Sequence, residues 1–249
     1  MMHNTRSRVE GSRLAHFDAV SFETVADNAP VQFYDDFLGA GFAAALPTSA
    51  TAGNPWVAKT IQTGGTPTVA GLANGVGGQI TVALDATSEA QTALLYFADQ
   101  LNFDVTKGLV FETRVKLSVL PSVAAARAVF GLQAAYNAAP DSVGFYLEFG
   151  ATGSGAINVR NQDGTTQAST ASGVTVLATE WHIYRIDATD VTNIRFYIDG
   201  TDVTPATAVP FVATGASAVL QPVVQVYKAS GTGVASAVVD YVKVWTNRT

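Results

Sequence analysis

The chain has 249 residues, of which 48% are hydrophobic and 14% are charged, and its net charge is -6. This composition excludes a disordered acidic chain, which needs high charge and few apolar residues, and the negative charge argues against nucleic-acid binding, since neutralising phosphates takes a basic surface. The chain has no cysteine, which excludes disulfides and thiolate chemistry, and no apolar run of about 18 residues that would predict a membrane span.

The first 30 residues differ in character from the rest of the chain. Residues 1–16 carry three arginines against one glutamate, so a small basic segment precedes an acidic body, and no apolar stretch typical of a secretion signal follows. We expect residues 1–30 to form an extended N-terminal assembly arm, because the segment looks too hydrophilic to bury itself on its own domain. A solvated, frayed terminus is the alternative. The candidate contact residues of the arm are Arg6, Arg8, Arg13, His16, Phe17 and Phe22.

From residue 31 to residue 249 the pattern predicts a single β domain. In residues 110–117 (VFETRVKL) Phe111 and Val115 fall on one face of a strand and Glu112 on the other, as a period of two demands. Residues 143–149, 194–198 and 238–245 alternate in a similar way. The pairs Asp163-Gly164 and Asp199-Gly200 predict hairpin turns, because both residue types tolerate positive φ.

Two stretches of the body lack this clear alternation. Residues 40–80 are rich in Gly, Ala and Thr, and we interpret them as long loops and edge strands of the same domain. Residues 118–139 are rich in alanine, which would allow one short helix.

Three segments resemble strands of the concanavalin A-like lectin/glucanase superfamily, particularly of laminarinase-like glycoside hydrolases. They are residues 111–117 (FETRVKL), the pair 181–187 (WHIYRID) and 194–200 (IRFYIDG), and 239–245 (VDYVKVW). The resemblance implies an all-β, concanavalin A-like jelly-roll sandwich of two antiparallel sheets, with one sheet curved into a concave groove.

The same resemblance implies where catalytic acids would stand. Those hydrolases carry E-x-D-x-x-E on one strand, because retaining glycosidases need two closely spaced carboxylates. In residues 143–148 Glu148 takes the place of the final Glu, but Val143 and Phe145 take the other two acidic positions. An apolar side chain cannot form a glycosyl-enzyme intermediate or relay a proton. We therefore predict that the chain is not an enzyme, with Glu112 and Asp141 as the only substitutes to consider.

Metal and cofactor chemistry has little support in the sequence. The three histidines do not cluster, which argues against zinc, and we expect a structural role for His182. We expect no metal and no cofactor. Several carboxylates and one amide could contact calcium, but turn formation explains them better: Asp35, Asp36, Asp99, Asn102 and Asp104.

Two functions follow as the main alternatives. The first is a structural virion protein, namely a capsid decoration (cement) protein or a related head or tail component of a tailed phage. It would be made in the host cytoplasm, attach to the particle by its arm, and display a lectin-like sandwich on the particle exterior. Its expected partners are capsid or other virion subunits and copies of itself, and neither nucleic acid nor a membrane. The second is non-catalytic binding of surface glycans, with Trp56, Tyr146, Glu148 and Arg160 as candidate residues. An active β-glucanase-type hydrolase is the third and least favoured.

Overall fold

The computed structural model describes residues 5–10, 13–27, 31–38, 46–51, 54–100, 102–122, 126–135, 144–150, 154–165, 167–206 and 211–248. Within these ranges the regular structure consists of strands and two short 3-10 turns. No helix in the described part of the chain is long and apolar enough to cross a membrane. In chain order the strands are β1 (Thr5–Glu10), β2 (Arg13–Asp18), β3 (Thr24–Asp27), β4 (Val31–Asp35), β5 (Val57–Ile61), β6 (Thr68–Gly71), β7 (Ile80–Ala83), β8 (Gln91–Tyr96), β9 (Phe103–Asp104), β10 (Leu109–Val119), β11 (Ala126–Gln133), β12 (Gly144–Phe149), β13 (Ala156–Gln162), β14 (Gln167–Thr175), β15 (Trp181–Ala188), β16 (Arg195–Ile198), β17 (Thr201–Asp202), β18 (Val219–Lys228) and β19 (Ser236–Thr246).

Two antiparallel sheets of eight strands each form the body. The first sheet has the order β17-β16-β15-β10-β19-β7-β6, with β4 also paired to β19. The second sheet has the order β14-β13-β12-β11-β18-β8-β5, with β9 also paired to β18. The central pairs join strands that are distant in sequence, β10 with β19 and β11 with β18, and the two antiparallel sheets confirm the predicted all-β sandwich.

The core lies between the inner faces of the two sheets. Phe111 and Tyr184 point inward from the first sheet, and Phe130, Phe145 and Leu147 point inward from the second. The rings of Phe130 and Tyr184 meet across the interface with their centroids 4.9 Å apart. The alternation of each strand therefore sends every second side chain to an outer face, as the sequence pattern predicted for β10 and β12.

Residues 5–27 form a leader sheet of three antiparallel strands, β1-β2-β3, which folds back on the sandwich. Thr24 donates its backbone N–H and its hydroxyl to the buried carboxylate of Glu112 on β10, at 3.0 and 2.7 Å. Lys243 on β19 adds an ion pair with Glu23 at 2.7 Å. These contacts correct the expectation of an extended arm. Polar side chains on the outer face of the first sheet form hydrogen bonds and an ion pair with the hydrophilic leader, so the leader docks on its own domain. Residues 28–30, which include the predicted boundary between the arm and the sandwich, lie outside the described residues.

The structure also shows the secondary structure of the two less regular stretches of the body. The described part of residues 118–139 contains β11 and no helix, so the alanines there fill narrow positions between sheets rather than a helical face. Residues 40–80 contain β5 and β6, each at the edge of a sheet, which confirms the interpretation of that stretch as loops and edge strands where it is described.

Candidate functional site

The second sheet brings three of the four predicted carbohydrate-binding residues together on its outer face. Phe145 and Leu147 of β12 point into the core, so Tyr146 and Glu148 point to the opposite side. Arg160 on β13 is the strand partner of Tyr146, and its guanidinium lies 5.7 Å from the centroid of the Tyr146 ring.

The carboxylate of Glu148 lies between two guanidinium groups. Its Oε2 is 3.3 Å from Nη1 of Arg160 and 3.6 Å from Nη1 of Arg127 on β11. Two guanidinium groups at these distances hold the carboxylate by charge-assisted contacts. The arrangement holds these polar groups in fixed positions on the outer face of the second sheet.

Glutamine side chains extend this surface to a neighbouring row. Gln162 on β13, Gly144 on β12, Gln133 on β11 and Gln221 on β18 are successive strand partners. Because Gly144 has no side chain, none stands between Gln162 and Gln133. We call the set the polar face, and its side chains are Arg127, Gln133, Tyr146, Glu148, Arg160 and Gln162.

The amide of Gln133 has an unusual environment. The residue is 1% exposed, and neither Nε2 nor Oε1 has a hydrogen-bond partner among the described residues. The Oε1 of Gln162 lacks a partner in the same sense. A buried amide without partners costs free energy that a bound hydroxyl would recover, since a hydroxyl can both donate and accept. The Gln133 amide and the Gln162 Oε1 are therefore polar atoms of this face that the described residues do not bond.

The polar face meets solvent on one side and an apolar patch on the other. The side chain of Arg127 is 35% exposed, and Asn158, on the same outer face, is half-buried, whereas Tyr146 and Glu148 are buried. Further along the sheet Val57, Leu94, Tyr96 and Val223 form a separate buried cluster. Burial raises the pKa of Tyr96, and the charge of Asp99 adds to the effect. Polar groups beside apolar surface suit a ligand with hydroxyls and C–H faces.

Close backbone approach beneath Tyr146 depends on one glycine. Gly131 on β11 is the strand partner of Tyr146, and a Cβ built on it would lie 2.5 Å from the carbonyl oxygen of Phe145 and 2.7 Å from the Tyr146 Cβ. A side chain at this position is therefore excluded, and Gly131 allows the close approach of β12 at Tyr146.

The fourth predicted carbohydrate-binding residue, Trp56, lies elsewhere. It is 0% exposed and packs in the core against Phe33 and Phe97, with ring centroids 5.6 and 4.7 Å away. Its indole N–H donates to Asp35 at 2.9 Å, and Asn54 accepts its backbone N–H, which turns the chain inward after Pro55. The expectation that Trp56 stacks on a sugar is wrong, because its ring packs in the core between the two sheets, away from the outer face that carries the other three residues.

The remaining acids considered for catalysis do not join Glu148. Phe145 faces the core, and residues 141 and 143 lie outside the described residues. Glu112 lies on the outer face of the first sheet, where it binds the leader sheet and accepts a hydrogen bond from the Tyr241 hydroxyl at 3.1 Å. Glu112 therefore cannot substitute for a missing acid on β12.

The predicted arm residues belong to the leader sheet. Arg8 approaches Glu112, with its Nη2 3.6 Å from Oε2, and its guanidinium lies 4.9 Å from the Phe17 ring centroid. His16 is hydrogen-bonded to the Ser7 hydroxyl at 2.9 Å. Arg6 is exposed, and the Arg13 side chain lies outside the described residues. Phe22 covers the hairpin at Gly200, which has a φ of +75° and where a Cβ would lie 2.6 Å from the Phe22 ring.

The carboxylates considered for calcium have local partners. Asp35 accepts from Trp56 and from the backbone N–H of Phe37, and Asp104 accepts from Thr106. Asp99 accepts from the amide of Gln221 at 2.8 Å. Where the chain is described, no three His, Asp or Glu side chains converge as a metal site would require.

Sequence reasoning missed Arg127, Gln133 and Gln162. Their signal was a polar residue in an otherwise apolar strand, as in ARAVFGLQ for β11. That signal shows which face a residue occupies once the strand is known, but it does not show whether its amide is already hydrogen-bonded.

The comparisons place this geometry in a known fold. Residues 82–240 match the family model described as SO2946-like, C-terminal domain. The structure is similar to protein SO2946, of unknown function, from Shewanella oneidensis MR-1, with TM-score 0.56, 16% identity and 88% of each chain covered.

Two further solved structures give the character of the fold. One is Rv0315, an immunostimulatory antigen and pseudo beta-1,3-glucanase of Mycobacterium tuberculosis, with TM-score 0.55, 16% identity, and 87% of this chain and 98% of that chain covered. The other is the carbohydrate recognition domain of Emp47p, with TM-score 0.50, 11% identity, and 81% and 94% covered. These likenesses confirm the concanavalin A-like jelly-roll sandwich and concern the fold alone. No curated protein matches the chain.

Proposed function

Because the chain belongs to the SO2946-like, C-terminal domain family and has a glucanase-like and lectin-like fold, we propose that it binds saccharides on the polar face without cleaving them. The observation that carries the proposal is the Gln133 amide, which is buried and has no hydrogen-bond partner on either atom among the described residues. Saccharide hydroxyls offer the donors and acceptors that this amide lacks.

The charged groups of the polar face support recognition over catalysis. Arg127 and Arg160 fix the Glu148 carboxylate, and paired carboxylate and guanidinium groups present several hydrogen-bonding atoms in fixed directions. Hydrolysis with retention needs a second carboxylate roughly 5 Å from the first. Phe145, which takes one of the acidic positions of the hydrolase motif, points into the core instead.

A glycan array of neutral and acidic oligosaccharides, followed by calorimetry on each hit, tests the proposal. We expect saturable binding, and no release of reducing ends when the bound saccharide is incubated with the protein. Absence of binding to every saccharide class would overturn the binding proposal, and hydrolysis that depends on Glu148 would overturn its non-catalytic part.

The role in a virus particle, with virion subunits as partners and the particle exterior as location, stays a prediction from the sequence. That role requires an extended arm for attachment, whereas the leader sheet docks on its own sandwich through Glu112. Saccharide binding is therefore our first proposal, and the two roles are compatible on one particle.

A further inference from the structure

The strand β14 is an edge of the second sheet, and its first half, residues 167–171, is regular and unprotected, since the only irregularity of the strand lies beyond residue 171. It runs for nine residues, Gln167–Thr175, and pairs only with β13 among the described strands. Its sequence, QASTASGVT, contains no charged residue and no proline, and most of its residues are exposed. Natural proteins normally shorten such edges or place charges or prolines on them, since an unpaired edge invites another strand.

The other edges in the described part of the chain follow that rule. The opposite edge of the second sheet, β5, has five residues and carries Lys59. The first sheet ends in β17, with two residues, and β6, with four. In the leader sheet β1 carries Arg6 and Arg8. Among these edges β14 is therefore the longest, and it carries neither a charge nor a proline.

We propose that β14 pairs antiparallel with β14 of a second copy of this chain, across a two-fold axis near Ser169. Residues 167–171 pair one-for-one with β13, and the only irregularity lies towards the other end of β14. A two-fold axis at Ser169 places Ser169 opposite itself and Ala168 opposite Thr170. The two chains, each of net charge -6, then meet along strands that carry no charge. Because the pairing is two-fold symmetric, both β14 edges are used and the assembly stops at a dimer.

The pairing would join the two polar faces. Ser169 is the strand partner of Arg160, so it lies on the same outer face as the candidate site. Three strand spacings would separate Arg160 from Arg160 of the second copy, which is about 14 Å. One saccharide chain could then contact both sites and gain avidity. This consequence rests on the proposed function, whereas the pairing itself does not.

Analytical ultracentrifugation of the full chain up to about 200 µM tests the pairing. We expect a concentration-dependent dimer. The substitution Ser169→Lys, which places two lysines opposite each other, should raise the dimer dissociation constant at least about fivefold, while Val76→Lys in a remote exposed turn leaves it unchanged. Circular dichroism checks that both variants fold. A wild-type chain that stays monomeric, or a dimer indifferent to Ser169→Lys, would overturn the proposal.

A cross-link gives an independent readout, because the chain has no cysteine of its own. Cross-strand Cα atoms lie within the range that a disulfide can bridge. Mild oxidation of Ser169→Cys should give a covalent dimer, and Val76→Cys should not. Equal cross-linking of the two variants would contradict pairing through β14. Saccharide binding by the Ser169→Lys variant, which retains the polar face, is measured separately, so failure of one proposal does not obscure the other.

Discussion

Gln133 and Gln221 are strand partners on the outer face of the second sheet, yet their buried amides differ completely in bonding. The Oε1 of Gln221 accepts the backbone N–H groups of Phe97 and Asp99, both at 3.1 Å, and its Nε2 donates to Asp99. The amide of Gln133 has no such partners among the described residues. One glutamine therefore stabilises the fold, and the other has the amide that we propose bonds the ligand.

The first prediction concerns stability. Gln221→Leu leaves two backbone N–H groups without their acceptor, and we expect it to lower the free energy of unfolding by about 2–3 kcal/mol. Gln133→Leu removes an amide that has no partner among the described residues, so it should leave the free energy of unfolding unchanged or raise it. Urea unfolding of the three proteins measures both effects. A loss in Gln133→Leu as large as in Gln221→Leu would show that Gln133 is structural.

The second prediction concerns the docking of the leader sheet. Thr24→Ala removes the hydroxyl that donates to Glu112 at 2.7 Å, and it leaves a fully buried carboxylate oxygen short of a donor. We expect a loss of about 1–3 kcal/mol in the free energy of unfolding and faster proteolysis within residues 5–27. Thr24→Ser, which keeps the hydroxyl, is the matched control. Equal stability of the two variants would mean that this contact does not hold the leader.

The third prediction is a pH dependence. Hydrogen bonds from the Gln91 side chain and from the backbone N–H groups of Gly64, Gly65 and Thr63 lower the pKa of Glu89 from 4.5 to about 2. Because the folded pKa lies below the unfolded one, the contribution of Glu89 to stability is present above pH 4.5 and is lost as the pH falls towards 2.

Melting temperatures of the wild type and Glu89→Gln between about pH 6 and pH 2 test this prediction. The wild type should be the more stable at pH 6, and the two curves should converge as the pH falls. Glu180→Gln, at an exposed carboxylate, is the control and should follow the wild-type curve more closely. Parallel curves for wild type and Glu89→Gln would contradict the assignment.

The fourth prediction concerns Trp56. Because its ring is fully buried against Phe33, Phe37 and Phe97, we expect Trp56→Ala to cost about 3–5 kcal/mol of unfolding free energy. The comparison is Leu177→Ala at a residue that is 63% exposed, where we expect little change. A stable Trp56→Ala protein that had lost only saccharide binding would restore the role that the sequence suggested.

The strand pattern of the body could be predicted because alternation is local. The period-two reading of residues 110–117 matches β10, and the pair Asp199-Gly200 forms the turn between β16 and β17. The alternation of residues 143–149 also placed Tyr146 and Glu148 on one face of β12. These features depend on a few neighbouring residues, which is why the sequence alone reveals them.

The tertiary contacts could not be predicted in the same way. The docking of the leader sheet depends on Glu112, which is 88 residues from Thr24 in the chain. The burial of Trp56 depends on Asp35 and Phe97 from other strands. Nothing local distinguishes Gln133 from Gln221, since the partners of Gln221 are more than 120 residues away.

The central claim is that the unbonded Gln133 amide belongs to a saccharide site, and calorimetric titration of Gln133→Leu with the best array hit tests it most directly. We expect the variant to unfold at the same or a higher urea concentration than wild type. It should bind the saccharide at least about tenfold more weakly, because one to two hydrogen bonds between the saccharide and a buried amide are lost. Wild-type affinity in a well-folded Gln133→Leu protein would contradict the claim.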